Sequence, residues 1–288
     1  MYYFYSLLIG ALISAMVVFN GWLSGHCGVY LSTVIIHVVG LALITLLMIF
    51  KHGNPFLKMQ KWYLYIGGAI GVLTIVFNNL AFGSISVSAI LALGLFGQSI
   101  TSLIIDQYGL MGMPRYPFSK RKIIGLVILA CGIISMLDKF KIMALILSLL
   151  SGVTVVLSRT VSAKLASYTN VITSTFYNYL VGLAVSLAAF FLLGGNENAS
   201  IYLPKLSNAY IYFGGVLGVY VVLLSNIVVE KISSYYLTLL LFMGQVFSGV
   251  LIDSLISGGF STQNLVGGLF AATGLYTNLL LDRKAKSI

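Results

Sequence analysis

The stretch ISVSAILALGLFGQSITSLII, residues 85–105, is apolar enough to cross a membrane, yet it carries a glutamine near its middle, Gln98. A helix needs about 20 mainly apolar residues to span the hydrocarbon core of a bilayer. An amide that faced lipid would leave its donors and acceptors unpaired, at a cost of several kcal/mol. The pattern recurs in residues 235–252, which carry Gln245; in both copies Gly precedes the glutamine and an Ile-Asp pair begins seven residues after it. We therefore expect both glutamines to face protein or a water-filled cavity.

The composition is that of a polytopic membrane protein. Of the 288 residues, 59% are hydrophobic and only 8% are charged, whereas a soluble domain carries about a quarter charged residues. Cys27 and Cys131 lie far apart, in or beside apolar runs, and predict neither a disulfide framework nor a metal site. The sequence has no phosphate-binding loop and no recognisable nucleophile–base set, so we expect no cofactor, no direct ATP drive and no enzyme activity.

The hydrophobic pattern predicts an all-α integral membrane protein with ten transmembrane helices. The runs of spanning length are residues 3–23, 30–50, 62–81, 85–105, 121–137, 142–163, 171–193, 209–229, 235–253 and 264–281. The first run lacks the basic segment and the cleavage site of a signal peptide, so we expect it to be retained.

The basic residues predict the orientation. If the N-terminus is cytoplasmic, thirteen of the 16 Lys and Arg residues fall on the cytoplasmic side, and only Lys139, Lys141 and Lys205 fall outside. This asymmetry predicts that both termini are cytoplasmic. It also accounts for the net charge of +10 without a nucleic-acid partner.

The two halves of the chain repeat each other. At an offset of 147 residues Gly67, Gly68, Gly71, Asn79 and Gln98 match Gly214, Gly215, Gly218, Asn226 and Gln245, and at an offset of 142 Gly10, Leu23, Gly40 and Gly132 match Gly152, Leu165, Gly182 and Gly274. We expect one five-helix repeat in residues 1–139 and a second in 140–288. Because five is odd, the second repeat is inverted in the membrane, an arrangement common among secondary transporters. The Gly-x-x-x-Gly pairs predict close helix packing.

One run of motifs resembles a known family. The first copy reads Gly67-Gly68, Gly71, Asn79, Gly97-Gln98, Ile105-Asp106, Tyr108-Gly109-Leu110 and Pro114-Arg115-Tyr116-Pro117, and the chain opens with Asn20-Gly21-x-Leu23 and Val39-Gly40. This is similar to the YdcZ-type inner-membrane exporters of the drug/metabolite transporter superfamily. The resemblance implies a five-plus-five inverted arrangement in which the first four helices of each half line a central cavity. It implies transport of a small molecule and names no substrate.

The chain departs from that pattern in three respects. The second copy lacks the Pro-Arg-x-Pro loop and has Ser162 where the first copy has Asn20. The related small multidrug resistance proteins exchange protons through a Glu on their first helix. Neither the first nor the sixth predicted helix here carries an acidic residue, which argues against antiport driven by such a carboxylate.

Polar side chains at membrane depth are the candidate substrate-binding residues, because such groups usually face the interior of a bundle. The set is Gln98, Gln245, Asn20, His37, Asn79, Asn178, Tyr179, Asn226, Arg159 and Tyr220. We expect Gln98 and Gln245 to face each other across the pathway. The alternative for them is a structural hydrogen bond between helices, worth about 0.6–2 kcal/mol.

The remaining candidates leave alternatives open. His37, matched by Tyr179, can carry a proton at physiological pH or can be a neutral imidazole bonded to a neighbouring helix. Arg159 can reach the headgroups or can bind an anionic solute from inside a cavity. Asp106 and Asp253 can be solvated at helix ends, or Asp106 can pair with a basic residue of the loop 115–122.

Three functions fit these observations. The first is a monomeric secondary or facilitative transporter that moves a small polar or amphipathic solute across the cell membrane by alternating access, with proton or ion coupling left open. The second is a flippase for a lipid-linked substrate. The third is a membrane interaction subunit without transport, which a solid centre around the two glutamines would favour.

Overall fold

The computed structural model describes residues 1–51, 60–113, 115, 122–135, 141–194, 206–229 and 231–257, and a few single positions between 262 and 273. Its main elements are α1 (Tyr2–Cys27), α2 (Val29–Phe50), α3 (Gly67–Ala81), α4 (Val87–Tyr108), α5 (Lys122–Ser135), α6 (Ile142–Tyr168), α7 (Val171–Leu193), α8 (Phe213–Val228) and α9 (Ser234–Ser257). Short 3-10 turns cover Trp62–Tyr65, Leu110–Gly112 and Leu206–Tyr212.

Eight helical segments are long and apolar enough to cross a membrane, α3 and α8 each together with residues of the 3-10 turn before it, and they coincide with eight of the predicted spans. They confirm an all-helical integral membrane protein. The predicted fifth span, 121–137, corresponds to α5, of which 14 residues are described. The predicted tenth span, 264–281, lies outside the described residues apart from single positions.

Helix ends follow from local hydrogen bonding. α4 begins where the Ser86 hydroxyl accepts from the Ala89 amide at 3.2 Å, and α7 begins where Asn170 Oδ1 accepts from the Thr173 amide at 2.8 Å. Such N-caps satisfy amide groups that the first turn of a helix leaves unpaired. α4 ends at Gly109, whose φ of 61° is a left-handed conformation that glycine adopts without strain.

Helices from the two halves pack in matching pairs. α1 packs against α8 and α9, and α6 packs against α3 and α4. The other large interfaces join α2 to α7 and α4 to α9. If each of α1 to α4 is exchanged with its counterpart among α6 to α9, the first four pairs exchange with one another and the α2–α7 and α4–α9 pairs are unchanged.

The closest helix approaches occur at the repeated glycines. A Cβ on Gly244 of α9 would collide with the Leu7 carbonyl of α1, and a Cβ on Gly97 of α4 would collide with the Leu149 carbonyl of α6. Their partners Gly10 and Gly152 are equally closed by the facing backbones. The expectation that repeated glycines permit close packing is confirmed at these two crossings.

Two ends of the bundle can be defined by α1, a Tyr2 end and a Cys27 end. α4 and α9 run antiparallel, because Ser88 lies against Gly249 and Asp253 at one end while Ser102 lies against Thr238 at the other. The apolar cluster of Val17 and Val18 includes Val87 and Leu91, so α4 begins near the Cys27 end. Asp106, near the end of α4, therefore lies towards the Tyr2 end.

Candidate substrate-binding site

The structure buries most of the predicted substrate-binding residues. Asn20, His37, Asn79, Gln98, Arg159, Tyr179, Asn226 and Gln245 are all buried. Asn178 is half-buried. Tyr220 differs from the rest, because 46% of its surface is exposed.

Gln98 and Gln245 occupy equivalent positions in two different interfaces. The backbone nitrogen of Gln245 lies beside Gly10 of α1, and the backbone nitrogen of Gln98 lies beside Gly152 of α6. The Ser14 hydroxyl of α1 donates to the backbone carbonyl of Gln245 at 2.9 Å. Within the described part of the chain no hydrogen bond joins the two side-chain amides, so that contact does not explain their burial.

Three of the candidate asparagines, one each in α3, α7 and α8, are bonded to a hydroxyl on a neighbouring helix. Asn79 Nδ2 donates to Ser32 Oγ at 3.2 Å and its counterpart Asn226 donates from Nδ2 to Thr175 Oγ1 at 3.3 Å, one residue beyond Ser174, which matches Ser32. Asn178 Nδ2 donates to Ser162 Oγ at 2.8 Å. These bonds tie α2 to α3, α7 to α8 and α6 to α7.

Four buried side-chain atoms have no hydrogen-bond partner in the described part of the chain. They are Asn20 Oδ1, Gln98 Oε1, Asn226 Oδ1 and Gln245 Nε2. Buried polar atoms are nearly always paired, so each of these needs an explanation. All four belong to residues that the sequence singled out.

His37 and Tyr179 meet where α2 crosses α7. Their ring centroids are 5.8 Å apart; the His37 ring lies against Gly182 and the Tyr179 ring against Gly40, at matching positions of the two halves. His37 Nδ1 is 2.8 Å from the Thr33 carbonyl. Because a carbonyl only accepts, Nδ1 carries the proton and Nε2 keeps its lone pair in the neutral ring. The imidazole is thus bonded to its own helix, and the predicted bond to a neighbouring helix is absent among the described residues.

Arg159 is buried and does not extend to the surface. It is 8% exposed, and its Nη2 donates to Thr238 Oγ1 of α9 at 3.4 Å. The Asp106 carboxylate of α4 lies within electrostatic range of the guanidinium. Asp106 is 3% exposed, so its interpretation as a solvated carboxylate is wrong. In the predicted partner loop, Arg115 donates from Nε to the Gln107 carbonyl at 2.9 Å.

The predicted residues lie at several depths and do not form one cluster. α1 and α8 are antiparallel, since Asn20 lies against Gly214 and Met16 against Gly218. Asn226, twelve residues along α8 from Gly214, is therefore about 18 Å further towards the Tyr2 end than Asn20, at 1.5 Å per residue. The two glutamines lie between these levels.

The hydroxyl partners of the candidate residues were not among the predicted site residues. Ser102 Oγ and Thr238 Oγ1 are 3.0 Å apart, and Thr74 Oγ1 and Thr154 Oγ1 are 2.8 Å apart. Ser and Thr are common in apolar helices, where they can bond to their own backbone, so composition gives little signal for them. The repeat offset would have identified one feature, since Thr238 matches Leu91 and is therefore polar in only one half.

The fold and the buried polar residues define a multi-pass membrane protein with candidate solute-binding groups inside its bundle. A family model described as "Putative inner membrane exporter, YdcZ" matches the chain twice, over residues 1–135 and 143–277. The chain belongs to this family, which places it among membrane transporters of the cell membrane, and the resemblance found in the sequence is confirmed. An exporter is a transporter and not an enzyme.

Solved structures share the fold. One crystal structure matches with a TM-score of 0.69 at 14% sequence identity, over 99% of this chain and 97% of the other. At this identity the match shows the fold alone. No match is found among curated proteins.

Proposed function

We propose that the chain is a secondary transporter of ten transmembrane helices in two inverted repeats, residues 1–139 and 140–288, with both termini in the cytoplasm. The matched packing of α1–α4 with α6–α9 supports the repeats. The two family matches, one in each half, support the same division. The excess of Lys and Arg on one side of the membrane supports the orientation.

The proposed substrate is a small polar or amphipathic solute that moves by alternating access, with Gln98 and Gln245 as its main ligands. The observation that carries this proposal is the set of buried amide atoms without a partner, two of which belong to these glutamines. An unpaired buried polar atom costs about 1–3 kcal/mol. A solute or water that pairs with these atoms would recover that energy, which a purely structural role leaves unexplained.

Asn20 and Asn226 are the proposed contacts on the two sides of the glutamines. Each has an unpaired Oδ1, and they lie towards opposite ends of the bundle. In alternating access the two residues would be reached from opposite sides of the membrane in turn.

Cysteine accessibility tests this arrangement. In a background with Cys27→Ser and Cys131→Ser, the variants Asn20→Cys and Asn226→Cys are treated with an impermeant methanethiosulfonate on either side of oriented vesicles. We expect position 20 to react from one side and position 226 from the other. A solute that is transported should change the two rates in opposite directions. Reaction of both positions from the same side would contradict the proposal.

Flux gives the second test. Wild-type protein in proteoliposomes is assayed with radiolabelled leucine, benzoate and ethidium, which are zwitterionic, anionic and cationic solutes. We expect flux of at least one of them above empty liposomes, and its loss when Gln98 and Gln245 are both replaced by Leu. Flux unchanged by the double replacement would remove the glutamines from the mechanism.

A lipid-linked substrate is the second candidate, and one observation favours it. A groove of about 380 Å³ opens on the surface of α2 and α7. Its lining residues are Val38, Leu41, Ala42, Thr45, Leu46, Ile49 and Leu183. The groove begins next to the His37–Gly182 contact, so an acyl chain in it would bring a headgroup close to buried polar groups. Transbilayer movement of a fluorescent phospholipid in proteoliposomes, with no flux of the soluble panel, would favour this candidate.

A further inference from the structure

The junction of α4, α6 and α9 near the Tyr2 end is polar, whereas the matching junction near the Cys27 end is apolar. The polar junction contains Ser102, Thr238 and Arg159, joined by contacts of 3.0 and 3.4 Å. All three residues are buried.

The repeat identifies the matching residues as Val17, Leu91 and Gly249. Val17 and Leu91 lie in one apolar cluster. A Cβ on Gly249 would lie 3.1 Å from Leu91 Cδ1, so Leu91 fills the space that faces this glycine. The same backbone arrangement is therefore packed once with apolar side chains and once with polar ones. Packing does not require the polar set, since a buried ion is often less stable than well-packed apolar residues of similar size.

Arg159 keeps unused hydrogen-bonding capacity. A guanidinium carries five N–H donors, and the one hydrogen bond that Arg159 makes within the described part of the chain is long, at 3.4 Å. It is also the one Lys or Arg that is buried there. A desolvated cation of this kind is strongly stabilised by an oxyanion that accepts from several donors.

Asp106 lies within electrostatic range of Arg159, and its counterpart in the other half shows how such a carboxylate is held. Its counterpart Asp253 accepts from the amides of Val87 and Ser88, at 3.3 and 3.0 Å, in the first turn of α4. At the offset of 147 Asp106 corresponds to Asp253, and we expect its carboxylate to accept in the same way from the first turn of α9. A carboxylate held there would act on Arg159 from a distance and would leave the guanidinium N–H groups open to a ligand.

From this geometry we infer that Arg159, Thr238 and Ser102 form a binding site for a monoanionic carboxylate carried by the solute. The inference rests on the proposed transport function and specifies its substrate class. The site holds one guanidinium, which can pair directly with one carboxylate, whereas the second charge of a dianion would face no cation in a medium of low dielectric. Arg159 is seven residues along α6 from Gly152, which lies beside the backbone of Gln98, so the site is about 10 Å from the level of Gln98. A solute of moderate size can therefore reach both.

Binding to purified protein in non-ionic detergent tests the inference. The probes are acetate, lactate, benzoate and phenylacetate, each compared with its uncharged amide by thermal shift and isothermal titration. We expect at least one carboxylate to raise the melting temperature and its amide to leave it unchanged, since a ligand that binds the folded state stabilises it. Arg159→Gln should weaken that binding about 10–100-fold, the usual range for hydrogen bonds to a charged group.

Further variants make the result specific. Lys164→Gln removes a more exposed cation of α6 and should leave binding unchanged. Thr238→Val and Ser102→Ala keep the charge, should weaken binding several-fold, and remain informative if Arg159→Gln does not fold. Equal binding by wild type and Arg159→Gln, or no response of the wild type to any of the four carboxylates, would overturn the inference.

The last comparison is between an anionic lipid headgroup and the soluble carboxylates. Stabilisation that depends on Arg159 but arises only from phosphatidylglycerol, and from no soluble carboxylate, would assign the site to a headgroup and overturn the assignment to a solute. Flux of ethidium, which has no carboxylate, without binding of any carboxylate would overturn this inference and leave the proposed transport function standing.

Discussion

Replacing Gln98 and Gln245 by Leu should stabilise the protein while abolishing transport. Each residue contributes a buried atom without a partner, Oε1 in Gln98 and Nε2 in Gln245. Leu has a similar volume and brings no polar group. Removal of one unpaired buried polar atom should raise the free energy of unfolding by about 1–3 kcal/mol. No hydrogen bond joins the two amides among the described residues, so the two increments should add.

The measurement is denaturant-induced unfolding in mixed micelles, paired with flux in proteoliposomes. Asn79→Leu is the matched control, because Asn79 is buried to a similar extent but its side chain donates a hydrogen bond to Ser32 at 3.2 Å. Loss of such an interhelical bond should lower the free energy of unfolding by about 0.6–1.7 kcal/mol. If the glutamine variants lose stability as Asn79→Leu does, the amides are structural and the reasoning fails. If they gain stability and keep full flux, the amides have no part in transport.

Three further outcomes are expected. Gly152→Ala should lower the free energy of unfolding by about 1–3 kcal/mol, because its Cβ would collide with the backbone of α4. Gly25→Ala, whose Cβ would have no atom within 4 Å, should leave the free energy of unfolding unchanged or raise it. The same unfolding titration compares the two variants. Asp253→Asn should lower the free energy of unfolding by about 1–2 kcal/mol and increase hydrogen exchange in the first turn of α4, because the carboxylate accepts hydrogen bonds from amides of that turn. Unchanged exchange would contradict this capping role. Tyr179→Phe should change the free energy of unfolding by less than about 0.5 kcal/mol, because the phenol oxygen is not among the buried atoms that lack a partner. Any change in flux would therefore point to contact with the solute.

The spans and the repeat could be predicted because they follow from strong one-dimensional signals. An apolar run of lipid length specifies a membrane helix, and eight such runs recur in the structure. The offsets of 142 and 147 also identified the glycines at which helices meet. Burial of Gln98 and Gln245 followed from the cost of exposing an amide to lipid.

The arrangement within the bundle could not be predicted from the same signals. The direction of a side chain turns by about 100° per residue, so one position decides whether a tyrosine points inwards. Tyr179 is buried and Tyr220 is exposed, although both are mid-helix. Nothing in the sequence showed that α4, α6 and α9 meet, so the contact of Arg159 with Thr238 and its proximity to Asp106 appeared only in three dimensions.

The glycine crossings have a consequence for how the molecule can move. At Gly10 and Gly244 the backbones of α1 and α9 are in contact, and at Gly152 and Gly97 the backbones of α6 and α4 are in contact. Each of these interfaces joins a helix of one half to a helix of the other. A conformational change that kept each half rigid would have to separate both the α1–α9 and the α4–α6 interface. The moving bodies are therefore expected to be hybrid units, one built from α1 and α9 and the other from α4 and α6, each combining helices of both halves of the chain.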